Sequence, residues 1–172
     1  MGLEAASALL VDRGAGGVAH PGGTLLEHLF RVHTLLGEWG ARAELRLAGL
    51  CHAFYGTDGF AVSLGAIERR GELVEVVGVE VERLVYLYAS CDRSRTYPTF
   101  AQAGGMLIDR FGGVAVPLTV GQRRDLAELT VANELDVMRA VHRSDDSLLD
   151  LFVSWSSLLS FSARQAVRDA LR

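Results

Sequence analysis

The chain contains no lysine, so all 17 of its strongly basic residues are arginine. The net charge is −4 and no basic stripe runs along the sequence, which excludes a nucleic-acid surface as the main function. Cysteine is scarce too. Cys51 and Cys91 sit in apolar or helical surroundings without the CxxC spacing of a metal site, and they read as buried free thiols. Long apolar runs are missing although 49% of residues are hydrophobic and mean hydropathy is +0.22. Val74–Leu87, for example, is broken by Glu75, Glu80, Glu82 and Arg83 before it approaches the roughly 18 residues of a membrane span. The start, Met1-Gly2-Leu3-Glu4, lacks the basic region of a signal peptide, and Leu9-Leu10-Val11 is too short for its apolar core. The expectation is a soluble cytoplasmic protein. Gly-rich phosphate loops are absent, since no GxGxxG follows a strand and no Walker-type loop occurs. A GxSxG nucleophile elbow is absent as well.

What remains is a chain of 172 residues, one domain by length and able to bury a core without staples. Its pattern is mostly helical. Residues 3–12 form a short helix that stops at Gly14–Gly17. Thr24 and Glu27 make a capping box that opens a helix to about Trp39, with Leu25, Leu29, Val32 and Leu36 on one face and His28 inside that arc. A second helix spans Ala41–Tyr55 and stops at Gly56-Thr57-Asp58-Gly59. A short helix is expected over 62–70 and a longer one over 72–91, broken near Gly78. Asp92–Gly105 reads as irregular. Met106–Asp109 and Val114–Leu118 form one small β-hairpin, with Pro117 marking an edge. Thr119 and Gln122 cap a long helix to about Val141, Asp145 or Asp146 caps the next through about Leu159, and Ser162–Leu171 closes the chain.

Chemistry concentrates at the ends of these helices. His28 and His52 lie on the core faces of consecutive helices joined by a short link, so their faces can converge. Asp136 lies on the stripe Leu129, Ala132, Asp136, Ala140 of a later helix. A buried Asp needs a cation or a metal beside it. Two imidazoles and one carboxylate make a metal-ligand set, and the rival is a metal-free Asp–His pair.

The order of these residues resembles the HD-domain superfamily of helical metalloproteins. That family places a His on one helix, His-Asp at the end of an apolar helix, and a distant Asp on a late helix. Here these are His28, then Ala48-Gly49-Leu50-Cys51-His52-Ala53, then Ala132-Asn133-Glu134-Leu135-Asp136. The stretches HPGGTLLEHL, AGLCHAFYGTDGF and YASCDR look like a little-characterised branch of it. The resemblance covers roughly residues 20–140. It implies an HD-like helical bundle with its core over about 20–160 and a divalent metal held by His28, His52 and Asp136. Ala53 stands where the family has the Asp that bridges two metals, which weakens a binuclear phosphohydrolase. Two histidines and one carboxylate suit mononuclear Fe(II), and HD-like oxygenases of the inositol oxygenase kind show that the scaffold carries oxygen chemistry. Zinc or manganese would also accept the set. The expectation is a metal-dependent enzyme for a small-molecule substrate, an iron oxygenase or oxidase first. The alternatives are a metal-dependent hydrolase and a metal-free acid–base or ligand-binding protein. A homodimer is compatible with either.

The supporting candidates are few. His20, before Pro21-Gly22-Gly23, can overhang the pocket as ligand or acid–base group. Tyr55, three residues after His52, can lie one helical turn further on and meet substrate. Asp58 can replace the missing carboxylate if its turn folds back. Asp92 and Arg93, with Arg95 nearby, can hold a polar or anionic group. Glu27 reads as a capping partner, His33 as packing or surface, and His142 as a helix-end residue.

Overall fold

The computed structural model describes residues 2–172. The fold is mostly α. Among the described residues α1 spans Gly2–Asp12, α2 Leu25–Glu38, α3 Ala43–Cys51, α4 Gly71–Val77, α5 Val79–Ser90, α6 Arg93–Thr96, α7 Val120–Val141, α8 Asp146–Ser154 and α9 Phe161–Ala170. Both capping boxes are formed: Thr24 accepts from the Glu27 amide and Thr119 from the Gln122 amide, each side chain answered in return. Asp145 caps α8 by accepting from the Leu148 amide.

The expected hairpin is present, β3 (Leu107–Asp109) against β4 (Val114–Val116), antiparallel with Ile108 opposite Ala115. A second antiparallel pair was not expected. β1 (Ala19–His20) and β2 (Gly23–Thr24) form a two-residue ladder around Pro21-Gly22. The helix expected over 62–70 is only a 3-10 turn at Ile67–Arg69. The long helix over 72–91 does break at Gly78, into α4 and α5. Asp92–Gly105 is less irregular than its composition suggests, since it contains α6 and a following 3-10 turn at Tyr97–Thr99. The helix over 145–159 is shorter than expected, with α8 ending at Ser154.

The most consequential difference is at α3, which ends at Cys51 rather than Tyr55. His52 is its C-cap. Past it the chain turns through bonds from the Phe54 amide to the Cys51 carbonyl and from the Gly56 amide to the Ala53 carbonyl. Tyr55 therefore does not continue the helical face of His52.

Apolar burial organises the helices into two clusters. One holds Val32, Leu36, Leu129, Leu135, Phe152 and Trp155. The other holds Leu10, Leu29, Leu50, Phe54, Leu73 and Val85. Both draw on α2, and truncating any of these fully buried leucines to alanine would cost about 2–5 kcal/mol. Gly49 on α3 explains how closely α2 and α3 approach. A Cβ there would meet Leu36 Cδ1 at 2.5 Å, so any larger residue would make the Leu36 side chain shift. His28 and His52 are carried at this close contact. No helix among the described residues is long and apolar enough to cross a membrane.

Candidate functional site

His28 comes from α2, His52 from the cap of α3, and Asn133, Glu134 and Asp136 from α7. His28 and His52 are 1% and 2% exposed, so their hydrogen-bond partners fix their states. His52 Nδ1 lies 2.7 Å from the Gly49 carbonyl oxygen, which can only accept. Nδ1 of His52 therefore carries the hydrogen, and its Nε2 presents a lone pair. That lone pair faces His28 Nε2 at 3.3 Å. Burial, followed by the His28 charge, pushes the His52 pKa down to about 3, which keeps that lone pair bare.

Asp136 takes the other side of His28. Its Oδ2 lies 2.7 Å from His28 Nδ1, and Arg31 forks onto the same carboxylate with Nε to Oδ1 at 2.8 Å and Nη2 to Oδ2 at 3.0 Å. Burial alone would raise the Asp136 pKa, but the hydrogen bonds from His28 and Arg31 overcome it and hold it below the usual carboxylate value. Asn133 completes the ring. Its Nδ2 donates to Glu134 Oε1 at 3.0 Å, so its Oδ1 is the atom 3.0 Å from His28 Nε2. His28 thus meets an acceptor at each nitrogen. Its Nε2 faces two, the His52 lone pair and the Asn133 oxygen. That arrangement calls for a cation at Nε2, either a proton or a metal ion.

The cluster opens onto a cavity of about 170 Å³ lined by His20, His52, Phe60, Arg93, Asn133 and Glu134. This is below the range for drug-sized ligands and suits a small molecule. His20 stacks on His28 with ring centroids 4.0 Å apart, and Phe60 meets it edge-on. His20 Nδ1 is buried without a partner among the described residues. Burial, then the His28 charge, lowers its pKa to about 4. Arg93 donates to Glu134 Oε1 at 2.7 Å and to the Tyr88 hydroxyl at 3.2 Å. Both of these hydrogen bonds to Glu134, from Arg93 and Asn133, fall on Oε1.

Of the residues expected from sequence, the structure brings together His20, His28, His52, Asp136 and Arg93. Asp136, however, does not share a coordination point with the two histidines, because both its oxygens are engaged by His28 Nδ1 and Arg31. Among the described residues no three His, Cys, Asp or Glu side chains converge as a metal-binding group. Tyr55 is elsewhere. Its hydroxyl donates to Glu82 Oε1 at 3.0 Å, a consequence of the early end of α3. Asp58 is exposed and accepts from the Arg93 backbone amide at 2.9 Å, and Asp92 caps α6 by accepting from the Arg95 amide at 3.1 Å. Both carboxylates hold loops and neither lines the cavity.

Residues 9–93 match the model of a domain of unknown function, DUF6817. That span carries His20, His28 and His52, while Asn133, Glu134 and Asp136 lie beyond it. No curated protein and no solved structure matches the chain.

Three site residues escaped the sequence reading. Arg31 sits three positions after His28, on the same helical face, and is the cation that a buried Asp136 requires. Asn133 sits three before Asp136, and a buried Asn inside a helix is itself a signal because its propensity there is poor. Glu134 had no signal beyond its neighbours.

Proposed function

We propose that this chain is a metal-dependent enzyme acting on a small molecule, built on an HD-like helical scaffold. The observation that carries it is the pair of Nε2 atoms 3.3 Å apart, each ring fixed by its own Nδ1–H. Metal–imidazole bonds of 2.0–2.1 Å in a tetrahedral site place neighbouring ligand atoms roughly 3.3 Å apart, so the residues present fit a divalent ion. His28 and His52 would hold it with the Asn133 amide oxygen. Asp136 and the Gly49 carbonyl serve as the outer partners that fix each ring's tautomer.

The ion would supply Lewis-acid polarisation of a water or substrate oxygen. The chain supplies the rest. Glu134, which lines the cavity, is placed to take and return a proton. Arg93 holds Glu134 through its Oε1 at 2.7 Å. Leu25, Phe60 and Val137 narrow the cavity against bulk water. This favours hydrolysis over the iron oxygenase reading, which needs a carboxylate on the metal. Asp136 would have to leave both Arg31 and His28 to provide one. Zinc or manganese then suits the neutral donor set as well as iron.

A metal-free reading has one observation of its own. A single proton on His28 Nε2 would satisfy the Asn133 oxygen and leave an Asp136–His28 acid–base pair. Elemental analysis of anaerobically purified protein separates the two. About one metal ion per chain in the wild type, retained in Glu134→Gln and lost in His52→Ala, is the expected result. Equal metal in wild type and His52→Ala would overturn the ligand assignment. Failure of wild type to retain zinc, manganese or iron after loading would favour the metal-free pair.

A further inference from the structure

Arg31 makes more contacts than the neutralisation of Asp136 requires. Its Nε and Nη2 form the fork onto Asp136, and Nη2 also donates to the Pro21 carbonyl at 3.2 Å, with Nη1 at 3.5 Å from the Gly22 carbonyl. Pro21 and Gly22 are the turn between β1 and β2, and β1 ends in His20. The same turn rests directly on α7. A Cβ at Gly22, which has φ +78°, would meet Ala140 Cβ at 2.8 Å, so the turn packs on α7 with no room for a side chain. One guanidinium therefore touches the carboxylate that fixes His28 and the turn that carries His20, and those two rings stack at 4.0 Å.

We infer that Arg31 is a positioning residue that sets two imidazoles at once: His28 through Asp136, and His20 through the carbonyls of Pro21 and Gly22. Its planar fork is what makes this feasible. A guanidinium carries five donors in fixed directions, so it reaches a carboxylate and a carbonyl together. A lysine ammonium is a point charge on a flexible stem, and it can keep the Asp136 contact without spanning to the turn. The two duties are separable by that substitution.

The inference uses the His28–Asp136 geometry of the proposed metal centre but its test does not need a metal. Nitrogen-15 NMR of histidine-labelled, metal-free protein reads the tautomer of His28 and the ring contacts between His20 and His28. In Arg31→Gln both change: His28 loses its uniform Nδ1–H state and the His20–His28 contacts weaken. In Arg31→Lys the His28 tautomer returns to its wild-type state while the His20 contacts stay weak. Wild-type His20 contacts in Arg31→Gln would overturn the inference. So would an Arg31→Lys variant that restores both rings or neither, since the two duties would then not belong to one guanidinium. A parallel zinc titration tests the metal reading separately. Loss of an outer partner of a ligating histidine weakens metal binding about 10- to 100-fold, and Arg31→Gln, which keeps Asp136 but loosens it, is expected to cost less than that. No zinc binding by the wild type would overturn the proposed centre while leaving the NMR outcome to judge Arg31.

Discussion

Two of the buried polar clusters differ in how fully their groups are matched. In the first, Glu82 on α5 is 2% exposed and receives Arg70 as a fork, Nε to Oε1 and Nη2 to Oε2, each at 2.6 Å. The Tyr55 hydroxyl adds a third donor, and the Arg70 guanidinium lies over the Tyr86 ring at 3.8 Å. Both carboxylate oxygens of Glu82 are met by donors. In the second, around His28, acceptors outnumber donors at one nitrogen, His20 Nδ1 has no partner among the described residues, and a cavity adjoins. The first arrangement is what a buried charge needs in order to be tolerated. The second is incomplete in a way that a cation and a small ligand would complete. Burial of polar groups alone does not mark a site; the unmatched group beside a cavity does.

Acid should separate the two clusters most strongly. The His52 pKa is pushed down to about 3 from 6.5, so between those values the unfolded chain takes up a proton that the folded chain refuses. Metal-free protein is therefore at full stability above pH 6.5 and loses it progressively as the pH falls toward 3, by roughly 4 kcal/mol in all from this residue. His20, lowered to about 4, adds in the same direction. Urea midpoints measured against pH in the presence of a chelator check this, and His52→Gln should flatten that acid limb. Tyr55→Phe in the Arg70–Glu82 cluster should leave its slope unchanged. Tyr55 there is shifted upward, by burial first and the Glu82 charge second, far from this window.

Next in size is Glu82→Ala. It leaves Arg70 without its carboxylate, and the loss should be about 3 kcal/mol in urea denaturation at pH 7, the low end for a broken buried pair because Arg70 keeps some solvent. Metal content should be unaffected. A parallel loss of metal would mean that the clusters are coupled and the contrast between them fails.

The smallest effect belongs to Asp92→Ala, which removes the cap of α6 and should cost about 1 kcal/mol. It should leave binding in the cavity unchanged. A large effect on ligand binding would return Asp92 to the site, where the sequence pattern first put it.

Much of this was legible beforehand. The two capping boxes fixed where α2 and α7 begin, and apolar periodicity placed His28 and Asp136 on faces that do meet. What was not legible turned on small shifts. α3 stops four residues early because the His52 ring bonds back to the Gly49 carbonyl and the chain tightens into turns. That moved Tyr55 from the His28 cluster to the Glu82 one. The Asp136 carboxylate was rightly expected to need a cation, but periodicity could not say that Arg31 would supply it. The unexpected β1–β2 pair is too short to announce itself, since two residues show no alternation. Its turn brings His20 onto His28.

In the proposed centre, His28 Nε2 and His52 Nε2 would share one metal ion. A crystal of metal-loaded protein, measured at the absorption edge of the loaded metal, tests it most directly. A single anomalous peak is expected within about 2.0–2.2 Å of both Nε2 atoms, with Asp136 still on Arg31 and His28 Nδ1. A peak bound by Asp136, or none at all with His28 Nε2 still 3.0 Å from the Asn133 oxygen, would contradict it.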